Sequence, residues 1–328
     1  MSPSEIIRKT YHKKDSEALA LLSPTLDPLR IPYEDILSAT SNFANDKLIK
    51  RGEFSEVYRG KLLRSKEWID VVIRSFRSAS LGPERIDFLR EIQQLSELNH
   101  TNALSFVGFC DEDGQKIMVC EYQHNGSLDK YISDPTALPW LKRLKICLGA
   151  ARFFKYIHED LQVLLHYDFC YEIKSSKILL DRDWEAKVFC FGFHLGYKVG
   201  FPHLRSRSRK DGSDDTKSHM SDVYSFGVLL FELVCGKKAD VQECQSLARM
   251  GKLEEIINPD LRKQLHPISL SILSQLAYDC VLRRRDGPHM SKIVETLQQA
   301  SGELPLKREY FVRSFILDLL YIYCLFNP

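Results

Sequence analysis

The stretch Ile173-Lys174-Ser175-Ser176-Lys177-Ile178-Leu179-Leu180-Asp181, followed by Ala186 to Phe189 and then Cys190-Phe191-Gly192, organises the reading of this chain. Ile178-Leu179-Leu180 and Ala186 to Phe189 are short apolar runs on either side of the turn Asp181-Arg182-Asp183, the pattern of a small hairpin. Upstream, Leu141, Leu144, Leu148, Ala151, Phe154 and Ile157 recur at helical spacing and predict one long helix. Downstream, the run Val223 to Val234 predicts another, with Ser221 as N-cap and Gly236 as its stop. The hairpin and its polar loop therefore lie between two core helices.

Farther towards the N-terminus the periodicity changes. Tyr33 to Phe43 reads as a short helix, and Lys47 to Leu62 as strand, turn and strand. Val71-Val72-Ile73 is a β-branched run and so a buried strand. Pro83 to Leu98 has Ile86, Leu89, Ile92, Leu95 and Leu98 on one helical face, with Pro83 near its start. Val107 to Tyr122 supplies two further strands around Asp111-Glu112-Asp113-Gly114. Strands first, helices later and a polar joint at Asn125-Gly126-Ser127 predict an α+β chain of two lobes with a cleft between them.

Composition narrows the function classes. The chain has 328 residues, enough for about two domains of ordinary size. Lys and Arg number 46 against 44 Asp and Glu, a net charge of +2, which gives no reason to expect nucleic acid as the principal ligand. Nine cysteines are scattered singly, without Cys-x-x-Cys or a His cluster at metal spacing, and read as free thiols in a reducing compartment. No signal-peptide core is present, Ser2 excludes N-myristoylation, and no run reaches the about 20 apolar residues of a membrane span. The expectation is a cytoplasmic protein that binds no nucleic acid.

The order of these motifs resembles a protein kinase of the plant receptor-like group. The resemblance covers residues 31 to 300 and rests on a series: Asp35 to Phe43, Gly108-Phe109-Cys110-Asp111-Glu112, Asn125-Gly126-Ser127-Leu128, Lys174-Ser175-Ser176, and Asp222-Val223-Tyr224-Ser225-Phe226-Gly227-Val228. It implies a bilobal kinase fold, with a small β-rich N-terminal lobe at about 44–122 and a larger helical C-terminal lobe at about 126–302. Residues 1–30 are then a mobile leader and 303–328 an apolar tail. Function resides in the site rather than the fold.

At that site the residues depart from the family one after another. Kinases cradle ATP phosphates with G-x-G-x-x-G, whose glycines let backbone N–H groups approach closely. Lys50-Arg51-Gly52-Glu53-Phe54-Ser55-Glu56-Val57 keeps only Gly52, which leaves an ordinary hairpin as the competing reading. Arg74 stands where the phosphate-gripping lysine belongs, with a planar fork in place of a compact ammonium. Val72 replaces an adenine-facing alanine. Glu91 is in place on the following helix to pair with Arg74. The nucleotide-binding set implied is Gly52, Val57, Val72, Arg74, Glu91, Glu121, Gln123, Lys177 and Leu179.

The gapless match from Ile173 to Asp181 puts Glu172 at the position of the catalytic base, with Lys174 beside it. His166-Tyr167-Asp168 offers a second register in which Asp168 is the base, and both stay open. Lys177 occupies the place of the metal-binding asparagine, and Cys190 that of the metal-binding aspartate. An ammonium cannot ligate Mg²⁺, and a thiol is too soft a donor for it. Those two exchanges together add two positive charges, equal to one Mg²⁺, so ATP held without metal is one reading of Lys177; a solvated lysine in a dead site is the other. No Ala-Pro-Glu triplet follows, and Gly287-Pro288 lacks the arginine that would pair with its glutamate.

These departures imply a pseudokinase acting as a scaffold or regulatory module in phosphorylation signalling, with active receptor-like kinases or their substrates as partners. A weak Ser/Thr kinase and a metal-independent nucleotide sensor are the alternatives. Two further segments lie outside the kinase pattern. Arg205-Ser206-Arg207-Ser208-Arg209-Lys210 is a solvated loop or a phosphorylation site. Phe311 to Phe326 is a segment packed on the larger lobe, or else a partner-binding or membrane-surface strip; peripheral membrane association is allowed, with the inner face of the plasma membrane reached through a partner.

Overall fold

The computed structural model describes residues 24–52, 55–76, 85–160, 173–189, 214–282 and 287–302. They form two compact units, divided after Tyr122, with the short segment 100–103 belonging to the second.

The first unit is built on a five-stranded antiparallel sheet of order β1-β2-β3-β5-β4. Its strands are β1 (Leu48–Arg51), β2 (Ser55–Arg64), β3 (Glu67–Phe76), β4 (Phe106–Cys110) and β5 (Ile117–Glu121). Two helices accompany it, α1 (Tyr33–Thr40) and α2 (Arg85–Glu97). The β2–β3 register pairs Tyr58 with Ile73, Gly60 with Val71 and Leu62 with Ile69. Because side chains alternate across a strand, these residues share one face. That face packs with Ile36 of α1 and with Ile117 and Val119 of β5 into a single apolar core. Val57, Val72 and Arg74 are thereby turned to the opposite face. β3 is longer than the Val71-Val72-Ile73 run suggests, because pairing with β2 carries it out to Glu67 and places exposed Trp68 opposite exposed Leu63.

The chain before α1 is already structured. Leu26 is fully buried, and Asp27–Leu29 form one 3₁₀ turn with Pro28 inside it, a position that needs no amide hydrogen. Ile31 N–H then donates to the Phe109 carbonyl at 2.8 Å, and Arg30 forms a parallel bridge with Phe109. The Arg30 guanidinium pairs with Asp27 and Asp111 and lies 5.0 Å over the Phe109 ring. The leader expected to run to residue 30 thus gives way, by Leu26, to a segment seated on β4. Gly108 makes this seat fit: a Cβ there would lie 2.4 Å from the Leu29 carbonyl oxygen.

The second unit pairs a three-stranded sheet, β6 (Gly126–Ser127), β7 (Ile178–Leu180) and β8 (Ala186–Val188), with six α-helices among its described residues. These are α3 (Trp140–Lys155), α4 (Asp214–Cys235), α5 (Val241–Arg249), α6 (Pro259–Arg262), α7 (Pro267–Val281) and α8 (Met290–Ser301). Phe154 meets Phe226 edge to face at 6.5 Å, joining α3 to α4. α4 begins seven residues before Ser221, which is therefore no N-cap; its carbonyl instead accepts the Ser225 hydroxyl at 2.9 Å. Apolar period marks the part of a helix that faces a core, and it does not report the full hydrogen-bonded length. Gly236 ends α4 as expected, at φ +70° in the left-handed region.

One buried cation ties this unit together. Arg143, on α3, is 1% exposed. Its Nε donates to the Leu138 carbonyl at 2.7 Å, Nη1 to Leu233 at 3.1 Å and Nη2 to Ile132 at 2.7 Å. Burial pushes its pKa down to about 10, against the pull of Asp134, so it stays charged at neutral pH. Replacing Arg143 with Met should cost on the order of 3 kcal/mol in urea unfolding, because three buried carbonyls lose their donors. Arg143→Lys should lose most of the same stability, since one ammonium cannot span all three acceptors. A lysine variant as stable as the wild type would show that charge alone suffices.

Candidate functional site

The sequence-predicted residues fall into two groups, one in each unit. In the first, β1 and β2 meet in a hairpin whose register pairs Lys50 with Val57 and Arg51 with Glu56. Gly52 N–H donates to the Ser55 carbonyl at 2.8 Å, and a Cβ at Gly52 would stand 3.2 Å from that oxygen. Gly52 is not in the left-handed region, so closeness to Ser55, and not turn conformation, is what favours a glycine there. One backbone donor of the would-be phosphate loop is thus engaged within the hairpin. Glu56 reinforces it, accepting from Arg51 Nε at 3.0 Å and from the Tyr58 hydroxyl at 2.5 Å.

On the face away from the apolar core, Val57 lies directly opposite Arg74, and Val72 lies between Arg59 and Cys120. Arg74 is half-buried, and removal from water lowers its pKa; the charge of Glu91, on α2, opposes that fall. Arg74 and Glu91 therefore act on each other electrostatically, as their positions imply. A fully desolvated thiol, Cys120, shares the surroundings of Arg74, with its pKa pushed up to about 12 by burial. It is protonated at neutral pH and presents a small apolar wall beside Val72. Nothing in the composition of Ile117-Met118-Val119-Cys120 distinguishes Cys120 from its neighbours; only the strand register puts it there. Glu121, exposed, ends β5, where its N–H donates to the Ser105 carbonyl at 3.0 Å. Arg59 stacks over the Tyr122 ring at 4.5 Å.

In the second unit, Gln123 is buried and its carbonyl accepts from Gly126 N–H at 3.1 Å, closing the turn into β6. Lys174 is exposed, and Ser175–Lys177 form a 3₁₀ turn that runs straight into β7. Lys177 N–H donates to the Lys174 carbonyl at 2.9 Å, and Phe189 N–H donates to the Lys177 carbonyl at 2.8 Å. The backbone of Lys177 is therefore fixed from both sides. Leu179, half-buried on β7, pairs with Ser127 and Lys187. Glu172, Asp168 and Cys190 lie outside the described residues, as do Ser206, Ser208 and the segment 311–326.

Ser175 is the contact the sequence did not single out. It is buried and hydrogen-bonds the Glu232 carboxylate of α4, docking the loop on a core helix. Two chemically plain residues far apart in sequence carry no signal of this pairing before the fold is known.

Kinase folds imply Mg²⁺ and ATP. Lys177, in the asparagine position, offers an ammonium and no oxygen donor, and among the described residues no three His, Cys, Asp or Glu side chains gather around one point. The residues present do not fit a resident Mg²⁺. For ATP, the Val57–Val72 wall and the Arg74–Glu91 pair remain, while Gly52 is the one glycine left of the phosphate loop.

Burial raises the Glu232 pKa, with the Ser175 hydrogen bond opposing the rise. A carboxyl whose folded pKa exceeds its unfolded value contributes fully below the unfolded value, and that contribution is lost as pH rises through the folded one. Glu232→Gln keeps an acceptor for Ser175 and removes the buried charge. It should be more stable than the wild type at pH 7, and the gain should vanish below about pH 4. Urea midpoints at the two pH values measure this; a gain that persists at low pH would assign it to packing.

Residues 43–200 match the family described as protein tyrosine and serine/threonine kinase. The proline-rich receptor-like protein kinase PERK7 of Arabidopsis thaliana is 32% identical over 295 residues, which cover 81% of this chain and 41% of that protein. The chain spans about two fifths, or less, of the curated relatives it matches. Among solved structures, pseudokinase DRIK1 aligns with a TM-score of 0.65 at 21% identity, covering 84% of this chain and 97% of that one. The pseudokinase domain of BIR2 aligns at 0.64 and 24%, covering 84% and 86%. At such identities the structural likeness speaks for the fold alone. No helix among the described residues is long and apolar enough to cross a membrane. A β-rich unit followed by a helical one, the matched family and the curated relatives agree: this chain belongs to the protein kinases, with the receptor-like kinases of plants as its kin.

Proposed function

We propose that the chain is a pseudokinase module, binding an active receptor-like kinase or its substrate in phosphorylation signalling instead of transferring phosphate itself. The observation that carries this reading is Lys177. Its backbone is held between Lys174 and Phe189 at the entry to β7, so its position is set by the fold and not by a mobile loop. A cation at that point, with Cys190 at the other ligand position, leaves Mg²⁺ without its two direct protein ligands. Phosphoryl transfer depends on that metal to neutralise charge on the transferring group.

Two solved neighbours, DRIK1 and BIR2, are described as an inactive kinase and as an immune regulator of the RLK/Pelle family, and a regulatory role here is argued by analogy with them. The kinase domain is expected to work on the cytoplasmic side, with contact to the membrane through its partner. The proposed domain runs from 31 to 302, with the packed segment 26–30 seated on it, and is followed by the apolar segment 303–328. Glu172 or Asp168 would be the residual base in the weak-kinase alternative, with Lys174 alongside. The electrostatic link between Arg74 and Glu91 holds helix to sheet and supports the metal-independent nucleotide sensor as the second reading.

A thermal-shift titration with ATP separates these readings. The expected result is a shift that is the same with Mg²⁺ and with EDTA. A shift present only with Mg²⁺ would overturn the assignment of Lys177 and Cys190, and no shift in either condition would leave a pure scaffold. The double reversal Lys177→Asn with Cys190→Asp should make the shift metal-dependent, which the single Arg74→Ala change should not do.

A further inference from the structure

The β2–β3 hairpin reaches beyond the core of the first unit. Its apolar packing ends at the pair Leu62 and Ile69, and two further pairs, Leu63 with Trp68 and Arg64 with Glu67, carry both strands on to the turn. At the rise of a strand these two pairs add about 7 Å of ribbon past the core. The turn is Ser65-Lys66, with φ +49° and +72°. Two left-handed residues in a two-residue loop match the twist of the strands, so the tip is tightly closed although neither residue is glycine.

Trp68 and Leu63 are 69% and 55% exposed and lie directly opposite each other. A single exposed apolar side chain is ordinary on a folded surface. A cross-strand pair of them at the outer end of a ribbon is not explained by the core, which is turned to the other face. Cations surround the pair: Lys61 and Lys66 are exposed and Arg64 is half-buried, against one exposed carboxylate, Glu67. Among the described residues no ion pair takes up Lys61, Arg64 or Lys66, and Arg64 Nη2 has no hydrogen-bond partner. The next charges along the strands, Arg59 and Asp70, pair with each other at 3.6 Å.

We propose that this hairpin tip inserts into the surface of an anionic phospholipid bilayer, with Trp68 and Leu63 at the boundary of headgroups and acyl chains and Lys61, Arg64 and Lys66 against the anionic headgroups. Shape and size decide for this occupant. Five of the six residues from Leu63 to Trp68 are exposed, so the tip is a convex knob with no groove to enclose a peptide side chain. A bilayer surface yields around a knob, and interfacial apolar groups settle about 5–10 Å deep, which the overhang matches. Indole suits that boundary, being an apolar ring with one polar edge. The tip offers far fewer residues than the about 20–30 a side of a stable protein interface, which argues against a second copy of the chain. Each cation near an anionic surface strengthens binding about fivefold, so charge selects the headgroup and the ring sets the depth. This contact does not depend on the reading of Lys177.

The test is co-sedimentation of the full chain with vesicles, one set of phosphatidylcholine alone and one a roughly three-to-one mixture of phosphatidylcholine and phosphatidylserine. The expected result is binding to the mixed vesicles only, weakening as salt is raised. Leu63→Ser combined with Trp68→Ser should lower that binding by roughly tenfold or more. Lys61→Ala combined with Lys66→Ala should lower it about 25-fold. All four side chains are exposed, so both variants should melt with the wild type. Mixed vesicles with brominated acyl chains should quench the wild-type tryptophan emission and spare that of Trp68→Phe, because Trp140 is buried and Trp184 half-buried. Equal binding to both kinds of vesicle, binding to neither, undiminished binding by the Leu63–Trp68 variant, or equal quenching of wild type and Trp68→Phe would each overturn the proposal. A dimer that the Leu63–Trp68 variant abolishes would overturn it in favour of a second copy. Retention on immobilised polyglutamate that the same variant loses would do so in favour of an acidic peptide.

Discussion

The guanidinium of Arg143 takes the carbonyls of Ile132, Leu138 and Leu233 together, so a loop, the entry to α3 and the end of α4 all stop on one buried cation. A planar fork with several fixed donors suits this task, and the buried cation is tolerable because each of its three nitrogens donates to a carbonyl. The end of α4 is tied down by it. α4 in turn carries Glu232, which receives Ser175 of the loop that presents Lys177. Within the second unit, the loop that presents Lys177 therefore rests on a helix tied at its end to a structural arginine.

In the first unit the governing constraint is the pleat. A strand gives one face to the core and the other to whatever lies beyond, so Ile73 and Arg74 serve opposite ends one residue apart. The central core-facing pairs of β2 and β3, Tyr58–Ile73, Gly60–Val71 and Leu62–Ile69, are mostly apolar, whereas the far face mixes Val57, Val72, Arg59 and Arg74 with Asp70 and the Cys120 thiol. Substitutions on the far face leave this sheet intact because the core face does not depend on them. Fold and chemistry are carried by alternate residues and can be lost separately.

Much of this arrangement was legible in the amino acids. Val71-Val72-Ile73 announces a strand because β-branched side chains pack well on a pleated surface. Gly236 announces a helix end because only glycine adopts that conformation freely. What escaped depends on distance in space. Arg143 sits among apolar neighbours on α3 and reads as a solvated charge until the carbonyls around it are known. The start of α4 carries polar residues without period. Nor does a stretch holding two prolines suggest that Leu26 to Ile31 is packed.

That last segment bears on how the chain can be shortened. β4 is the outer strand of its sheet, and its exposed row of backbone groups is covered by Arg30 and Ile31 lying along Phe109. A version of the protein that began at Tyr33 would keep every strand and both helices of the first unit but leave that row bare. Unprotected strand edges recruit other strands, so such a truncation would trade an intramolecular cover for association between molecules. The few residues ahead of the first helix act as a guard against self-assembly.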